Sequence, residues 1–310
     1  MRILVVGAGA VGGYFGARWM AAGRDVTFLV RKARRAALVA SGLTVTGVRP
    51  DLHVRPRVLT AAELDTPYDV IFLTVPGDAL QAAITEIKPA VGPETFILTS
   101  LNGVRHFDSL REKFGDERVL GCVVKCVTKL DDEGRIVELA PLAQISFGPW
   151  SGVVSDRLRA IETGLRVDDM EVQISSRIQE EINEKWLMMV ALGAANSLLN
   201  GDVGSINAVP FGSWAIQEIL REGQRALNEI GMRPRQAVVD GLSGLCADPA
   251  SRQTSSLYRN MVAGHPIELE PILGDLLARL VDHRAYPLLS AAYVRLSLYV
   301  RSREPRRSPE

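Results

Sequence analysis

The chain has 310 residues, 47% of them hydrophobic and 23% charged, and its 36 basic and 36 acidic side chains give a formal net charge of +0. That length suits two domains of ordinary globular composition. The charge balance supplies no general electrostatic reason to expect nucleic acid or an anionic membrane as a partner, and no apolar run approaches the length of a membrane span.

Residues Ile3 to Val6 form a short apolar run that enters a G-x-G-x-x-G at Gly7, Gly9 and Gly12, and a helical pattern with Tyr14, Phe15, Trp19 and Met20 follows. A buried parallel strand reads as such a run. Gly7 lets the chain turn off the strand, Gly9 lets the backbone approach a pyrophosphate, and Gly12 lets helix pack on strand. The helix N-terminus then offers N–H groups and a partial positive charge to phosphates. The aromatics of that helix read as core.

Asp25 to Val30 is the next strand, and it ends at Arg31-Lys32-Ala33-Arg34-Arg35. A site for NAD usually carries an acid at this tip, to accept from the ribose 2′-OH. Here cations stand in its place. Guanidinium groups match a 2′-phosphate in charge and in bidentate geometry, so NADPH is the expected cofactor, with Arg31 and Lys32 at the phosphate. Arg34 and Arg35 read equally well as a solvated helix start.

Further on, residues 36–41 continue a helix, and Leu43 to Thr46 and His53 to Pro56 read as short edge strands. A helical turn is expected over residues 60–64, a buried strand over residues 69–75, and an amphipathic helix from Gly77 to Ile87. Another strand, residues 95–99, runs into the turn Ser100-Leu101-Asn102-Gly103. Arg118 to Val124 reads as a strand, with Lys125 and Lys129 after it, read as a solvated turn with contact to a substrate carboxylate as the alternative. Residues 135–139 and 144–148 read as an antiparallel pair. Strand alternating with helix implies a doubly wound sheet.

The character changes near Ser175. Helical periods run over residues 182–199, 210–230, 234–242, 255–262, 269–280 and 288–299. The expectation is an α/β protein with a Rossmann-type doubly wound domain at residues 1–174, an all-helical domain at 175–303 and a frayed tail at 304–310. Its site is expected outside the carboxyl ends of the strands, in the cleft between the domains. Cys122, Cys126 and Cys246 lack a companion His cluster. Reduced thiols, no metal and a cytoplasmic location without a signal peptide are the plain expectation. His265, beside Pro266, reads as a loop residue. The apolar surface of the helical domain points to a homodimer.

A reductase needs a proton donor for the oxygen that gains charge as hydride arrives. Lys185 precedes the apolar stretch Trp186 to Leu192. Desolvation there would lower its pKa and make it a better acid, although a lysine snorkelling from a buried helix reads equally well.

These motifs together resemble the ketopantoate reductase (2-dehydropantoate 2-reductase) family over about residues 1–300. The resemblance rests on the glycine loop, the arginine ending the second strand, Asn102-Gly103, Glu184-Lys185-Trp186-Leu187, Ser255-Ser256-Leu257 and Glu268-Leu269-Glu270. It implies NADPH-dependent reduction of a 2-oxo acid, ketopantoate to pantoate. It further implies that Lys185 is the general acid and that Glu268 pairs with it and engages the substrate. Ser256 and Asn102 would hydrogen-bond substrate groups, with Asn102 also beside the cofactor. The chain departs from the family at Met189 and Gly193, where many members have asparagine, and at Pro76, where a lysine is frequent. Asn196 is the nearest amide that could replace a lost asparagine, through a shifted register, and joins the candidate substrate contacts. Two alternatives stay open: a related reductase acting on a less polar ketone or an imine, and a non-catalytic NADP(H)-sensing protein.

Overall fold

The computed structural model describes residues 1–303, so the expected tail at 304–310 lies outside the described residues. Contacts divide the chain into two compact units. The first holds residues 1–101 and 106–179, and the second holds residues 102–105 and those from 180 onward.

The first unit begins with β1 (Arg2–Val6), α1 (Ala10–Ala21), β2 (Asp25–Leu29) and α2 (Lys32–Ser41). It continues with β3 (Leu43–Gly47), β4 (Leu52–Val54), β5 (Arg57–Leu59), β6 (Val70–Leu73), α3 (Leu80–Glu86) and β7 (Phe96–Thr99). Then come α4 (Arg105–Phe114), β8 (Gly121–Leu130), β9 (Ile136–Gly148), α5 (Asp156–Leu165) and β10 (Glu171–Ile174). Strands β5-β2-β1-β6-β7 form a parallel sheet in that order. The reversal of strand order at β1 is the topological switch of a doubly wound fold, and it lies where the glycine loop leaves the sheet. Ile3, Leu4 and Val5 are fully buried, as an all-apolar central strand must be. Tyr14, Phe15 and Trp19 of α1 are equally buried, and Trp19 donates its indole N–H to Leu165 O at 2.8 Å. They are core residues, as the sequence indicates.

A second sheet runs β10-β9-β3-β4, with β8 antiparallel to β9. It corrects two expectations. Residues 135–139 and 144–148 do not pair with each other; they belong to one strand, β9, whose antiparallel partner is β8. The reversal lies instead at Asp131–Gly134, where Asp131 Oδ1 accepts the N–H groups of Glu133 and Arg135. The ladder passes from Cys126↔Ala143 to Val127↔Ala140, so Pro141 and Leu142 bulge out. A bulge is where proline, lacking an N–H, is tolerated inside a strand. Lys125 and Lys129 accordingly sit exposed within β8, not in a turn after it.

The second unit is all-helical from α6 (Ile178–Leu199), whose first residues belong to the sheet unit, through α7 (Val203–Asn207), α8 (Gly212–Glu229), α9 (Gln236–Ala247) and α10 (Ser256–Val262). The helix expected over 269–280 is divided. A π-helical turn at Glu270–Gly274, with Pro271 at its start, precedes α11 (Asp275–Arg279). The last helix is α12 (Pro287–Arg303). Among the described residues no helix is long and apolar enough to cross a membrane.

Candidate active site

The glycine loop is built as its residue types require. Gly7 has φ +98°, a conformation that side chains disfavour, and its N–H bonds Leu29 O at 2.9 Å. A Cβ on Gly12 would stand 2.1 Å from Thr74 Oγ1 and 2.3 Å from Gly7 O. At Gly9 nothing lies within 4 Å of where a Cβ would be. The loop is thus closed around Gly12 and open above Gly9. Gly9 is also the N-cap of α1, which has no side-chain cap and no acid in its first turn. An open backbone approach beside an uncapped helix N-terminus fits a pyrophosphate.

Two side chains hold this loop: Thr74, which the sequence does not single out, and Arg34, which is neither a solvated helix start nor turned to a phosphate but bonded to the loop's own backbone. Thr74, just past β6, donates its hydroxyl toward Val6 O at 2.9 Å and Gly7 O at 3.0 Å. Arg34 donates from Nε and Nη2 to Ala8 O at 3.2 and 3.0 Å. Burial there pulls the Arg34 pKa below its ordinary value. Arg35 is engaged elsewhere, in an ion pair with Glu63 at 2.7 Å. Arg31 and Lys32 are exposed, and their side chains engage no partner among the described residues.

In the helical unit, Asn102 Nδ2 donates to Glu268 Oε2 at 2.7 Å. The turn holding Asn102 is pressed close against the π turn: a Cβ on Gly103, whose φ is +75°, would stand 2.1 Å from Pro271 O. The same π turn is tied to the Lys185 helix, because Trp186 donates its indole N–H to Ile272 O at 3.0 Å. Lys185 itself is half-buried on α6 between buried Glu184 and buried Trp186. Glu184 is occupied by Arg235, whose Nε and Nη2 meet its two oxygens at 2.5 and 2.7 Å. Ser255 caps α10 by accepting from Tyr258 N at 3.1 Å, which leaves the adjacent Ser256 with an exposed hydroxyl.

Asn196 requires a correction. It is fully buried, its Nδ2 donates to Gly201 O at 2.8 Å, and its Oδ1 accepts from Ser255 N at 2.8 Å. Its amide is spent on backbone groups and is not presented to a substrate. The candidate residues therefore fall into two groups. Gly7, Gly9, Gly12, Arg31 and Lys32 lie in the sheet unit, and Asn102, Lys185, Ser256 and Glu268 lie in the helical one. Among the described residues no group of three or more His, Cys, Asp or Glu side chains could hold a metal ion.

Comparison with known proteins places the chain in a family. Residues 3–152 match the model of the family described as ketopantoate reductase PanE/ApbA, and residues 177–284 match its C-terminal counterpart. An uncharacterized oxidoreductase of Bacillus subtilis, YkpB, is 31% identical, with 96% of this chain and 99% of that one covered. The crystal structure of 2-dehydropantoate 2-reductase from Geobacter metallireducens superposes with a TM-score of 0.83 at 24% identity, covering 96% of this chain and 99% of that one. A ternary structure of D-mandelate dehydrogenase with NADH and anilino(oxo)acetate superposes with a TM-score of 0.81 at 16% identity, covering 97% and 99%. With both family models matched and the same two-part fold, the chain belongs to the ketopantoate reductase family of oxidoreductases.

Proposed function

We propose that the protein reduces a 2-oxo acid to the 2-hydroxy acid at the expense of NADPH, with Lys185 as the proton donor. The observation that carries this reading is the Asn102–Glu268 hydrogen bond, which brings two polar motifs far apart in sequence to one place in the unit that holds Lys185 and Ser256.

The glycine loop and the N-terminus of α1 would hold the pyrophosphate. Arg31 and Lys32, exposed at the tip of β2 and without an acid in place of the ribose partner, would hold a 2′-phosphate. When bound, NADPH supplies the hydride. The protein's residues supply the rest. Lys185 donates a proton to the carbonyl oxygen as negative charge develops there. Glu268, fixed by the Asn102 amide, presents its carboxylate to the lysine and the substrate. The Ser256 hydroxyl hydrogen-bonds the substrate.

Within this reaction class a second substrate reading is favoured by one observation. A Cβ placed on Gly193 would lie 3.9 Å from Leu257 Cδ1 and 4.0 Å from Ile272 Cγ2, so the position where relatives carry an amide has apolar surroundings. A 2-oxo acid with a larger apolar side chain than ketopantoate suits that wall, and the structural neighbour solved with anilino(oxo)acetate points the same way. The discriminating experiment follows NADPH and NADH oxidation with ketopantoate, branched and aromatic 2-oxo acids, simple ketones and cyclic imines. Turnover confined to imines or simple ketones would reject the 2-oxo acid class. Equal use of NADH and NADPH would reject the cofactor assignment. A kcat/KM for ketopantoate above all others would reject the larger substrate.

A further inference from the structure

We propose that Asn196 is a positioning residue that fixes the Ser256 hydroxyl relative to the helix carrying Lys185. This inference rests on the reading of Ser256 as a substrate contact.

Asn196 lies on α6, eleven residues after Lys185, and has no solvent exposure. A fully buried primary amide in an apolar helix is costly unless its hydrogen-bonding groups are satisfied. Here each bond reaches backbone outside α6. Nδ2 donates to Gly201 O at 2.8 Å and, more distantly, to Gln253 O at 3.5 Å. Oδ1 accepts the Ser255 N–H at 2.8 Å. The amide therefore joins three segments: the Lys185 helix, the turn after it, and the strand-like stretch leading into α10.

That stretch has few other anchors. Val203 N donates to Gln253 O at 3.1 Å and Gly204 N to Ser251 O at 2.7 Å, both upstream of Ser255. Arg259 Nη1 reaches Thr254 O at 2.5 Å from an exposed side chain. Ser255 in turn caps α10 through its own hydroxyl. Among the described residues the side-chain hydrogen bond from the Lys185 helix to the residue preceding Ser256 thus runs through one buried amide oxygen. Rigid support of this kind is what holds a binding group in productive geometry. Loss of the amide leaves the Ser255 N–H and the Gly201 carbonyl without a partner, and the first turn of α10 then rests on apolar packing, with buried Leu257 beside Gly193, which fixes direction less sharply than a hydrogen bond.

The test measures KM and kcat for the best 2-oxo acid substrate, the dissociation constant of NADPH, and the melting temperature. The variants are Asn196→Ala, the gentler Asn196→Ser, Ser256→Ala, and Asn196→Ser combined with Ser256→Ala. Losing one or two buried hydrogen bonds should raise KM about ten- to a hundredfold in the Asn196 variants, with kcat within a few-fold of wild type. NADPH affinity, which rests on the sheet unit, should be unchanged, and a cooperative melting transition shows that the helical unit of each variant is folded. If Asn196→Ala lacks a cooperative melting transition, Asn196→Ser carries the test. In the double variant the KM effects should be far from additive, because the second change removes a group already misplaced. An unchanged KM in the folded Asn196 variants, or full additivity with Ser256→Ala, would overturn the proposal. A silent Ser256→Ala would instead remove the substrate role of Ser256, and the positioning role with it.

Discussion

Asn102 and Glu268 meet across 166 positions of sequence, with the Asn102 amide donating to a Glu268 carboxylate oxygen at 2.7 Å. Neither residue needs this bond for core packing, since Glu268 is exposed and Asn102 only half-buried. A hydrogen bond to an ionised group in such a place sets direction more than stability. Glu268→Ala is expected to lower kcat/KM by about ten- to a hundredfold. Asn102→Ala should also lower it, and the double variant should cost less than the product of the two effects. Steady-state kinetics of the four proteins decide this. Multiplicative losses would mean that the two residues act independently.

The glycine loop offers a contrast between two neighbouring positions. A methyl on Gly12 would collide with Thr74 Oγ1 and Gly7 O, whereas one on Gly9 would enter open space. Gly12→Ala should therefore destabilise the sheet unit by about 1–3 kcal/mol, as overpacking does. Gly9→Ala should leave stability within about 1 kcal/mol of wild type, because Gly9 has an ordinary extended conformation. It should nevertheless weaken NADPH binding at least tenfold, because the methyl occupies the approach a pyrophosphate needs. Melting curves with and without NADPH separate the two effects. A Gly9→Ala protein that binds NADPH as wild type does would show that the open face of the loop is not the pyrophosphate site.

How legible all this was in the sequence depended on the range of the interaction. The central strands and the glycine loop could be read because buried parallel strands are uniformly apolar and the loop's glycines answer local needs. Among the long helices of the second unit, α8 is legible from its period, whereas α6 is legible as a long run of helix formers free of Pro and of turn clusters. α4 is amphipathic, with Phe107, Leu110 and Phe114 at helical spacing on its buried face, and is legible in principle from that period, although the expected elements omit it. β9 was misread as a hairpin because Pro141 looks like a turn, although the ladder accommodates it as a bulge. Thr74 gives no local signal, and Arg34 shows only as part of a basic tip, since their partners are backbone carbonyls of a distant loop. Asn196 is legible as a residue of the Lys185 helix, but the burial that commits its amide to Gly201 and Ser255 arises only when the helices pack.

A buried charge cluster ties α1 to the second sheet and gives the sheet unit a pH dependence. Glu138, 2% exposed, accepts from Tyr14 Oη at 2.5 Å and from Arg18 at 3.1 Å, and is paired with Arg49. Burial, together with the hydrogen bond to Glu138, pushes the Tyr14 hydroxyl up to about 12. The folded state therefore holds this proton more tightly than the unfolded chain does. Its stabilising contribution is complete below the ordinary tyrosine value of 10.0 and is lost as pH rises from there toward about 12. Tyr14→Phe should cost about 1–3 kcal/mol near neutral pH by leaving Glu138 short of a donor. The gap between the two proteins should narrow above pH 10.0. Urea denaturation at a series of pH values measures it. A gap that is constant through the alkaline range would show that the hydroxyl's proton is not linked to folding.

Lys185 carries the sharpest prediction. It stands half-buried on α6, and its neighbours are already committed, Glu184 to Arg235 and Trp186 to the π turn. Those commitments fix the backbone of the helix on both sides of the lysine. If Lys185 protonates the nascent alkoxide, removing it should cost about two to four orders of magnitude in kcat. NADPH affinity should be nearly unchanged, because the glycine loop lies in the other unit. The wild-type rate should fall at alkaline pH as the ammonium loses its proton, and that limb should disappear in Lys185→Ala. Lys185→Arg keeps a cation but cannot release a proton readily, since a guanidinium stays protonated. It should therefore remain close to the alanine variant in rate. If charge alone were the lysine's contribution, arginine would recover most of the activity. Single-turnover oxidation of NADPH with saturating substrate separates chemistry from product release in all three proteins. A Lys185→Ala rate within a few-fold of wild type would place the proton donor elsewhere, and the assignment of the site would fall with it.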